Sequence, residues 1–272
     1  MSQGSYGLTS VRAPFGMTRA SPLLRELVLD HGPIDILGRF FLRAVASAAE
    51  HGIELSFGNA GDLVRANKAN HVNWLPLVPT LSADYNELNH ANFFCVLGRN
   101  SSGDVVAAHA ARVLQWPETD FIDELLSLRL FYQDPLKQQQ PGERCHVEAA
   151  EDARALRGLV VYSGAAWVHP DYRRRDLSSV LPRIAKAYAL SRWRPDFIAS
   201  LMTETVHRQG FAPRFGYDHV AWAVHWENSL LARKLRLAIV WMDMAHLVAD
   251  LEAYLDRAAA QIDAVIDKRR AQ

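Results

Sequence analysis

The chain has 272 residues, of which 49% are hydrophobic and 22% charged, with 30 basic and 30 acidic side chains. A chain this apolar can bury a large core and is not typical of intrinsically disordered proteins. Its net charge of zero argues against a dedicated nucleic-acid binder. The longest apolar run near the C-terminus, 237–242, is far shorter than the roughly 20 residues of a membrane-spanning helix.

The cysteine content indicates a reducing compartment, and the histidine spacing bears on metal binding. The two cysteines, Cys95 and Cys145, cannot build a disulfide framework, and the first residues lack the apolar segment of a signal peptide. We therefore expect a cytoplasmic protein. No histidine pair has the spacing of a zinc-binding helix, so we expect no metal.

The predicted organisation has four parts: a flexible arm, an N-terminal helical extension, a central α/β domain and a C-terminal extension that ends in a long amphipathic helix. Their boundaries are 1–20, 21–52, 53–228 and 229–272. The extension over 21–52 begins a helix at Ser21-Pro22 and has a second helix over 34–50.

Periodicity and turn residues predict the elements of the central domain. They are, in chain order, a strand at 53–57, a helix at 60–69, a packed loop at 74–79, hairpin strands at 91–97 and 104–114, a helix at 119–131, an exposed connection at 134–157, a strand at 158–168, a helix at 177–193, a strand at 196–205, a helical segment at 207–214 and a strand at 220–226. This order indicates a mixed α/β fold with antiparallel strands first and a crossover helix later.

Two features of the C-terminal extension stay open. The run 237–242 is either a last strand or the start of a helix. The helix over 244–269 has a regular apolar stripe, which either packs on the sheet or forms a homodimer contact.

The segment from Ala166 to Leu181 carries the most chemical information, because it reads as a strand, a tight turn and a helix start. A helix N-terminus presents free N–H groups and a partial positive charge to an anion. The turn adds three arginines, and the first helical turn adds two hydroxyls. These residues are Arg173, Arg174, Arg175, Ser178 and Ser179. They predict binding of a phosphorylated ligand, most simply a pyrophosphate.

The same segment resembles the GNAT superfamily of coenzyme A-dependent N-acyltransferases. Val168-His-Pro-Asp-Tyr-Arg is similar to the end of that family's fourth strand and its turn. Arg173 to Ser178 occupies the place of its Arg/Gln-x-x-Gly-x-Gly/Ala pyrophosphate loop, and Phe215-Gly216-Tyr217 resembles the Gly-Phe of its last motif. The element order over 53–226 agrees, so the resemblance covers roughly two thirds of the chain.

The resemblance implies a mostly antiparallel central sheet with a splayed strand pair and transfer of an acetyl or other short acyl group from acetyl-coenzyme A to an amine. In that family the fourth and fifth strands splay apart, and the pantetheine arm lies between them. Backbone N–H groups of the fourth strand, here those of Ala166, Trp167 and Val168, would hold the thioester carbonyl. The acceptor would be a small-molecule or peptide amine.

This chain departs from the family's pyrophosphate loop. Asp176 stands at the position of its glycine, and Ser178 at that of a small residue. Glycine lets a backbone approach phosphate closely, and a carboxylate repels it. Three interpretations remain open: a coenzyme A site, a degenerate phosphate site, or a structural turn in which the Asp176 side chain caps the helix.

The family's acid and base positions fall on Gly164 and Ala212, which carry no titratable group. Amine acylation needs a deprotonated nucleophile and a protonated leaving group. The candidates in this chain are Glu204 as the base, His207 as acid or base, and Tyr162. A salt-bridged glutamate, a helix-start histidine and a core tyrosine are the structural alternatives.

Two further sets of residues are candidates for an acceptor pocket. His109 in the hairpin could point into an acceptor cleft, or could be a satisfied strand histidine. An aromatic set could line the pocket or fill the core. This set comprises Trp74, Tyr85, Phe93, Phe94 and Trp116.

Two other functions remain open beside the acyltransferase. The vacant positions Gly164 and Ala212 favour a non-catalytic GNAT-like module for ligand sensing or protein interaction. An arginine-rich turn would also suit a transferase whose donor is an acyl carrier protein or an aminoacyl-tRNA.

Overall fold

The computed structural model describes residues 21–148, 150–173 and 176–270. The arm predicted for 1–20 lies outside the described residues. The strands are β1 (Glu54–Gly58), β2 (Phe93–Arg99), β3 (Val105–Trp116), β4 (Arg144–Val147), β5 (Gly158–Val168), β6 (Phe197–Thr203), β7 (His219–Glu227) and β8 (Lys234–Asp243). The helices are α1 (Pro22–Arg25), α2 (Ile34–Glu50), α3 (Ala60–Ala69), α4 (Phe121–Leu126), α5 (Pro135–Gln138), α6 (Leu177–Trp193), α7 (Glu204–Arg208), α8 (Phe211–Arg214) and α9 (Met244–Arg270).

The described strands form one eight-stranded sheet in the order β1-β2-β3-β5-β6-β8-β7-β4. Every neighbouring pair is antiparallel except β5 and β6, which are parallel and joined through α6. A parallel pair needs such a crossover connection. The predicted mixed, mostly antiparallel α/β fold is confirmed.

Helices cover both faces of the sheet, so the protein has two hydrophobic cores. On one face, apolar residues of α2, α6 and α9 pack against the sheet, with Phe40, Ile184 and Leu251 fully buried. On the other face, α3, α4 and the loops around them bury Leu63, Phe121 and other apolar residues. Alternate residues of each inner strand point into opposite cores.

Several helices and strands lie where the local sequence signals predict them. The bounds of α2, α3, β5 and α6 agree with the predicted ranges. The start of α3 is fixed by a capping box, in which the Asn59 side chain accepts from the Asp62 N–H and the Asp62 side chain accepts from the Asn59 N–H. In α6 the apolar spacing matches the buried face formed by Val180, Leu181 and Ile184.

The helix predicted for 119–131 is wrong in its second half. The helix ends at Leu126, and Leu128 has a φ of 61°, a left-handed conformation that an α-helix excludes. Leu130 and Phe131 are nevertheless fully buried. The apolar spacing therefore matches the burial of Phe121, Leu125 and Leu130, although Leu126 is exposed and the backbone after it forms turns.

The connection predicted as exposed at 134–157 is also wrong. Its strand β4 pairs with β7 at the edge of the sheet, and Cys145 is buried there. The Glu143 carboxylate is buried too, and it accepts hydrogen bonds from the Tyr132 hydroxyl at 2.9 Å and the Trp226 Nε1–H at 2.8 Å. These bonds satisfy the buried carboxylate and tie the segment to β7.

The alternative at 237–242 is resolved in favour of a strand. β8 lies between β6 and β7, so the boundary at 228 does not separate a C-terminal extension from the sheet. In α9 the predicted stripe is buried at Leu247, Leu251 and Tyr254, in the core that α2 and α6 share. The described part of the stripe is thus covered within the chain. No described helix has the length and apolarity that crossing a bilayer requires.

One ion pair connects α6 to α9. The Arg183 guanidinium donates to both carboxylate oxygens of Asp250, at 2.8 Å each, and the Arg183 side chain is only 4% exposed. Its remaining Nη1 donates to the backbone oxygen of Arg214 at 2.8 Å. A bidentate pair of this kind fixes the relative orientation of the two side chains and also stabilises the contact.

We predict that Asp250→Ala lowers the free energy of unfolding by about 3–5 kcal/mol, because it leaves a buried guanidinium without its counter-charge. Glu50→Ala is the matched control, since Glu50 pairs with Arg43 while 59% of its side chain is exposed. It should cost at most about 1 kcal/mol. Urea unfolding of both variants measures the difference, and equal losses would contradict the prediction.

Candidate functional site

The parallel strands β5 and β6 pair only at their beginning. Val160, Val161 and Tyr162 pair with 197–199, and beyond that point the strands separate toward their carboxyl ends. Although β5 is an inner strand, Ala166 is exposed. We call the opening between 163–168 of β5 and 200–203 of β6 the cleft.

A β-bulge shapes the β5 side of the cleft. Ala108 pairs with Trp167 and Ala110 with Gly164, so Ala165 and Ala166 together lie opposite His109. Ala165 has a φ of 56°, which is strained for a residue with a Cβ. A bulge leaves its extra residue outside the ladder and bends the strand. Ala165 and Ala166 accordingly have no ladder partner on β3.

The turn after β5 leads into α6 through a second left-handed residue. Asp176 has a φ of 55° and precedes the first helical residue. This is the position that the sequence resemblance assigns to glycine, the residue for which that conformation carries no steric penalty. Among the described residues, no side chain caps this helix start. The interpretation of Asp176 as a side-chain cap is therefore wrong.

The predicted phosphate-binding side chains have different surroundings. Arg173 is exposed, and its Nε donates to the Val168 oxygen at 3.4 Å. The Ser179 hydroxyl accepts from Arg183 Nη1 at 2.6 Å and is thereby engaged within the protein, whereas Ser178 is partly exposed. Arg174 and Arg175 lie outside the described residues.

The electrostatic surroundings of Asp176 are mixed. Partial burial raises the pKa of its carboxyl group, and the nearby Arg183 and Arg214 act in the opposite direction. The exposed Arg214 would attract an anion at this helix start, whereas Arg183 is already paired with Asp250. The Asp176 carboxylate thus lies close to positively charged arginine side chains.

The three predicted acid–base residues differ in burial and in their contacts. Glu204 is the first residue of α7, not part of β6 as predicted, and it forms an ion pair with Arg208. His207 packs edge-on against Trp222, and its buried Nδ1 has no hydrogen-bond partner in the described part of the chain. Tyr162 is 2% exposed and interacts with Ser200 and the Leu201 backbone at the inner end.

His109 lies inside the protein and not in an open acceptor cleft. It is 2% exposed, and its Nε2 is 2.7 Å from the Ser163 hydroxyl. Burial, with a smaller contribution from Lys186, lowers the pKa of His109 to about 3. The imidazole is therefore neutral at physiological pH.

Most of the predicted aromatic set fills the core. Phe93, Phe94 and Trp116 are buried, and Trp74 stacks on Trp167 with ring centroids 4.7 Å apart. That stack holds the loop 70–79 over the β5 bulge. Tyr85 packs edge-on against Tyr132, and both residues are distant in sequence from the turn that follows β5.

A cavity of about 550 Å³ lies beside the turn that follows β5. Its lining includes Arg65 of α3 and Arg99 at the end of β2. His169 and Asp171 of the turn line it as well. Charges of both signs face this space, so it suits a polar ligand. Sequence reasoning missed it, because its lining residues come from three separate segments of the chain.

Comparisons with known proteins give matches among solved structures only. No family model and no curated protein matches the chain. A mutant form of the spermidine N-acetyltransferase SpeG from Vibrio cholerae matches 72% of this chain and 96% of its own, with 8% identity and a TM-score of 0.41. Arabidopsis thaliana NAA60 in complex with acetyl-CoA matches 71% of this chain and 99% of its own, with 12% identity and a TM-score of 0.44.

These matches are remote. At identities and TM-scores this low, the likeness carries no conclusion about what the chain acts on. Function has to be inferred from the residues of this chain.

We predict that Asp176→Gly strengthens binding of inorganic pyrophosphate by roughly fivefold, since it removes a like charge worth about 1 kcal/mol at a few Å. Glycine also relieves the left-handed strain at this position. Asp171→Ala is the matched control, because it removes an exposed carboxylate from the same turn. Calorimetric titration measures both affinities. Weaker binding by Asp176→Gly would show that the carboxylate makes a needed contact.

Proposed function

We propose that this protein transfers an acetyl or other short acyl group from coenzyme A to an amine. The observation that carries the proposal is the cleft between β5 and β6, with a strained bulge on one wall and a helix N-terminus at its mouth. A long, thin thioester with a pyrophosphate at one end matches that combination.

The chain's residues fit coenzyme A through their backbone conformation. The left-handed Asp176 gives the turn the shape of a glycine loop, so N–H groups of the first turn of α6 can face a pyrophosphate. Arg173 adds charge there, and Arg174 and Arg175 are proposed to do the same. The Ser178 hydroxyl is proposed to donate a hydrogen bond to the pyrophosphate. The backbone N–H groups of Ala166, Trp167 and Val168 would hold the thioester carbonyl at the bulge. Bound coenzyme A supplies the activated acyl group.

Glu204 is the proposed general base. It follows the last residue of β6, at the open end of the cleft, and 44% of its side chain is exposed, so an acceptor amine can reach it. Its task is to take a proton from the amine nitrogen that attacks the acyl carbon. His207, one turn further along α7, is a second group that could move a proton at this end through its unpartnered Nδ1.

A specific observation favours a second candidate, a module that binds its ligand without turnover. A Cβ at Gly164 would lie 3.1 Å from Leu81 Cδ1, so a larger side chain with a carboxylate does not fit there without rearrangement. A transferase that takes its acyl group from a carrier protein or an aminoacyl-tRNA remains the third. Assays with a broad panel of amines and with each donor class distinguish the three.

We predict that Arg173→Ala raises the dissociation constant of acetyl-coenzyme A about tenfold, because a charge-assisted hydrogen bond contributes roughly 1.5–3 kcal/mol. Arg25→Ala is the control, an exposed arginine at the end of α1. Isothermal titration calorimetry gives both constants. If the unmodified protein shows no binding at about millimolar acetyl-coenzyme A, the proposed function is wrong.

We predict that Glu204→Gln lowers kcat for acyl transfer about a hundredfold, as expected for loss of a general base, and leaves the affinity for acetyl-coenzyme A unchanged. Glu26→Gln, at an exposed position after α1, is the control. A Glu204→Gln variant with normal kcat would remove Glu204 from the mechanism.

A further inference from the structure

The cavity of about 550 Å³ beside the turn after β5 is separate from the cleft. Its walls come from α3, from the hairpin that joins β2 to β3, and from the turn itself. In the sheet, β3 lies on one side of β5 and β6 lies on the other. Residues of β3 line the cavity and no described residue of β6 does. A ligand in the cavity is therefore on the opposite side of β5 from the cleft.

Arg99 brings a positive charge without a counter-charge to this cavity. It is the last residue of β2, it is partly buried, and its Nη1 donates to the Gly103 oxygen at 3.1 Å. It forms no ion pair with a carboxylate of the described residues. A guanidinium can donate two parallel hydrogen bonds to one carboxylate. Arg99 is thus suited to hold the carboxylate of a ligand.

Asp104 brings the opposite charge from the other side of the hairpin. Its carboxylate accepts from Asn100 Nδ2 at 3.2 Å and pairs with no cation in the part of the chain that the structure describes, Arg99 included. Arg99 pairs in the ladder with Val105, the residue after Asp104, so the two charged residues are neighbours across the hairpin. Opposite charges that line one cavity without pairing with each other suit a ligand that carries both.

The other charged side chains of the cavity are already neutralised or solvated. Arg65 Nη2 donates to the Asp62 carboxylate at 2.6 Å, so these two charges compensate each other. The Asp171 side chain is 79% exposed and faces water. Arg99 and Asp104 therefore remain as the pair of charges that a ligand can meet.

Small apolar side chains line the cavity beside these charges. They are Ala66 and Ala69 on α3 and Val105 and Val106 at the start of β3. Alanine leaves room for a hydrocarbon group, and the cavity volume of about 550 Å³ is typical of small-molecule sites. Burial of an aliphatic group against these side chains is favourable. A fitting ligand thus has an aliphatic chain next to two opposite charges.

We propose that this cavity binds a free aliphatic α-amino acid. Arg99 holds the carboxylate, Asp104 holds the ammonium group, and the side chain lies against the alanines and valines of the wall. The site is independent of the proposed function, because its ligand lies on the β3 side of β5 and takes no part in acyl transfer in the cleft.

The test titrates the full chain with leucine by isothermal titration calorimetry, and in parallel with isocaproate and isoamylamine. Isocaproate is leucine without its amino group, and isoamylamine is leucine without its carboxylate. We expect leucine to bind with a dissociation constant below about 1 mM. Each analogue should bind at least about tenfold more weakly, because it lacks one charge-assisted hydrogen bond.

Variants of the two charged residues locate the binding. Arg99→Gln and Asp104→Asn each remove one charge with little change in size, and each should weaken leucine binding about tenfold. Arg99→Lys keeps the charge but loses the planar fork, so its loss should be smaller. Arg25→Gln, at an exposed position at the end of α1, is the control and should bind leucine like the unmodified protein. The unfolding temperature of each variant without leucine shows that it is folded.

Three results would each overturn the assignment. They are no leucine binding at about 10 mM, equal affinities for leucine and both analogues, and an unchanged leucine affinity in folded Arg99→Gln and Asp104→Asn. Coenzyme A binding is measured separately, so failure of this site leaves the proposed function standing. Failure to bind coenzyme A likewise leaves the amino-acid site standing.

Discussion

The separation of β5 from β6 is the constraint on which the rest of the molecule depends. Two parallel strands that pair over three residues and then diverge leave backbone groups in the middle of a sheet without ladder partners. The bulge at Ala165–Ala166 turns one wall of this opening, and the buried Tyr217 interacts with Ser163 and Ser200 at its inner end. An uninterrupted sheet would have paired these backbone polar groups with each other. Here the groups either find other hydrogen-bond partners or stay open to the cleft.

Keeping such an opening in the sheet requires rigid support, and the helices of one face provide it. The Arg183–Asp250 pair joins α6 to α9 and also holds the backbone before Gly216. Asp250 leaves no room for a Cβ at Gly216, since one would lie 2.5 Å from a carboxylate oxygen. The turn that carries Tyr217 is therefore fixed by the same contact that fixes α6, whose N-terminus is the proposed anion site.

Much of the fold could be predicted from local signals, and the errors have a common cause. The capping box of α3 and the apolar face of α6 act within a few residues, so their bounds follow from the sequence. The segment 134–157 looked exposed because its polar residues suggest a loop, yet Glu143 is buried through bonds to Tyr132 and Trp226. Partners that lie far away in the chain leave no local signal.

The same distinction holds for the candidate site. The sequence by itself determined the strand, turn and helix start around Arg173, because these depend on neighbouring residues. Only the tertiary structure showed that Asp176 adopts a left-handed conformation. Only the tertiary structure decided that Ser179 is engaged by Arg183 and that His109 faces Ser163 across the β5 bulge. It alone brought Lys186 over Tyr217, since a buried cluster is formed by packing between elements that periodicity describes one at a time.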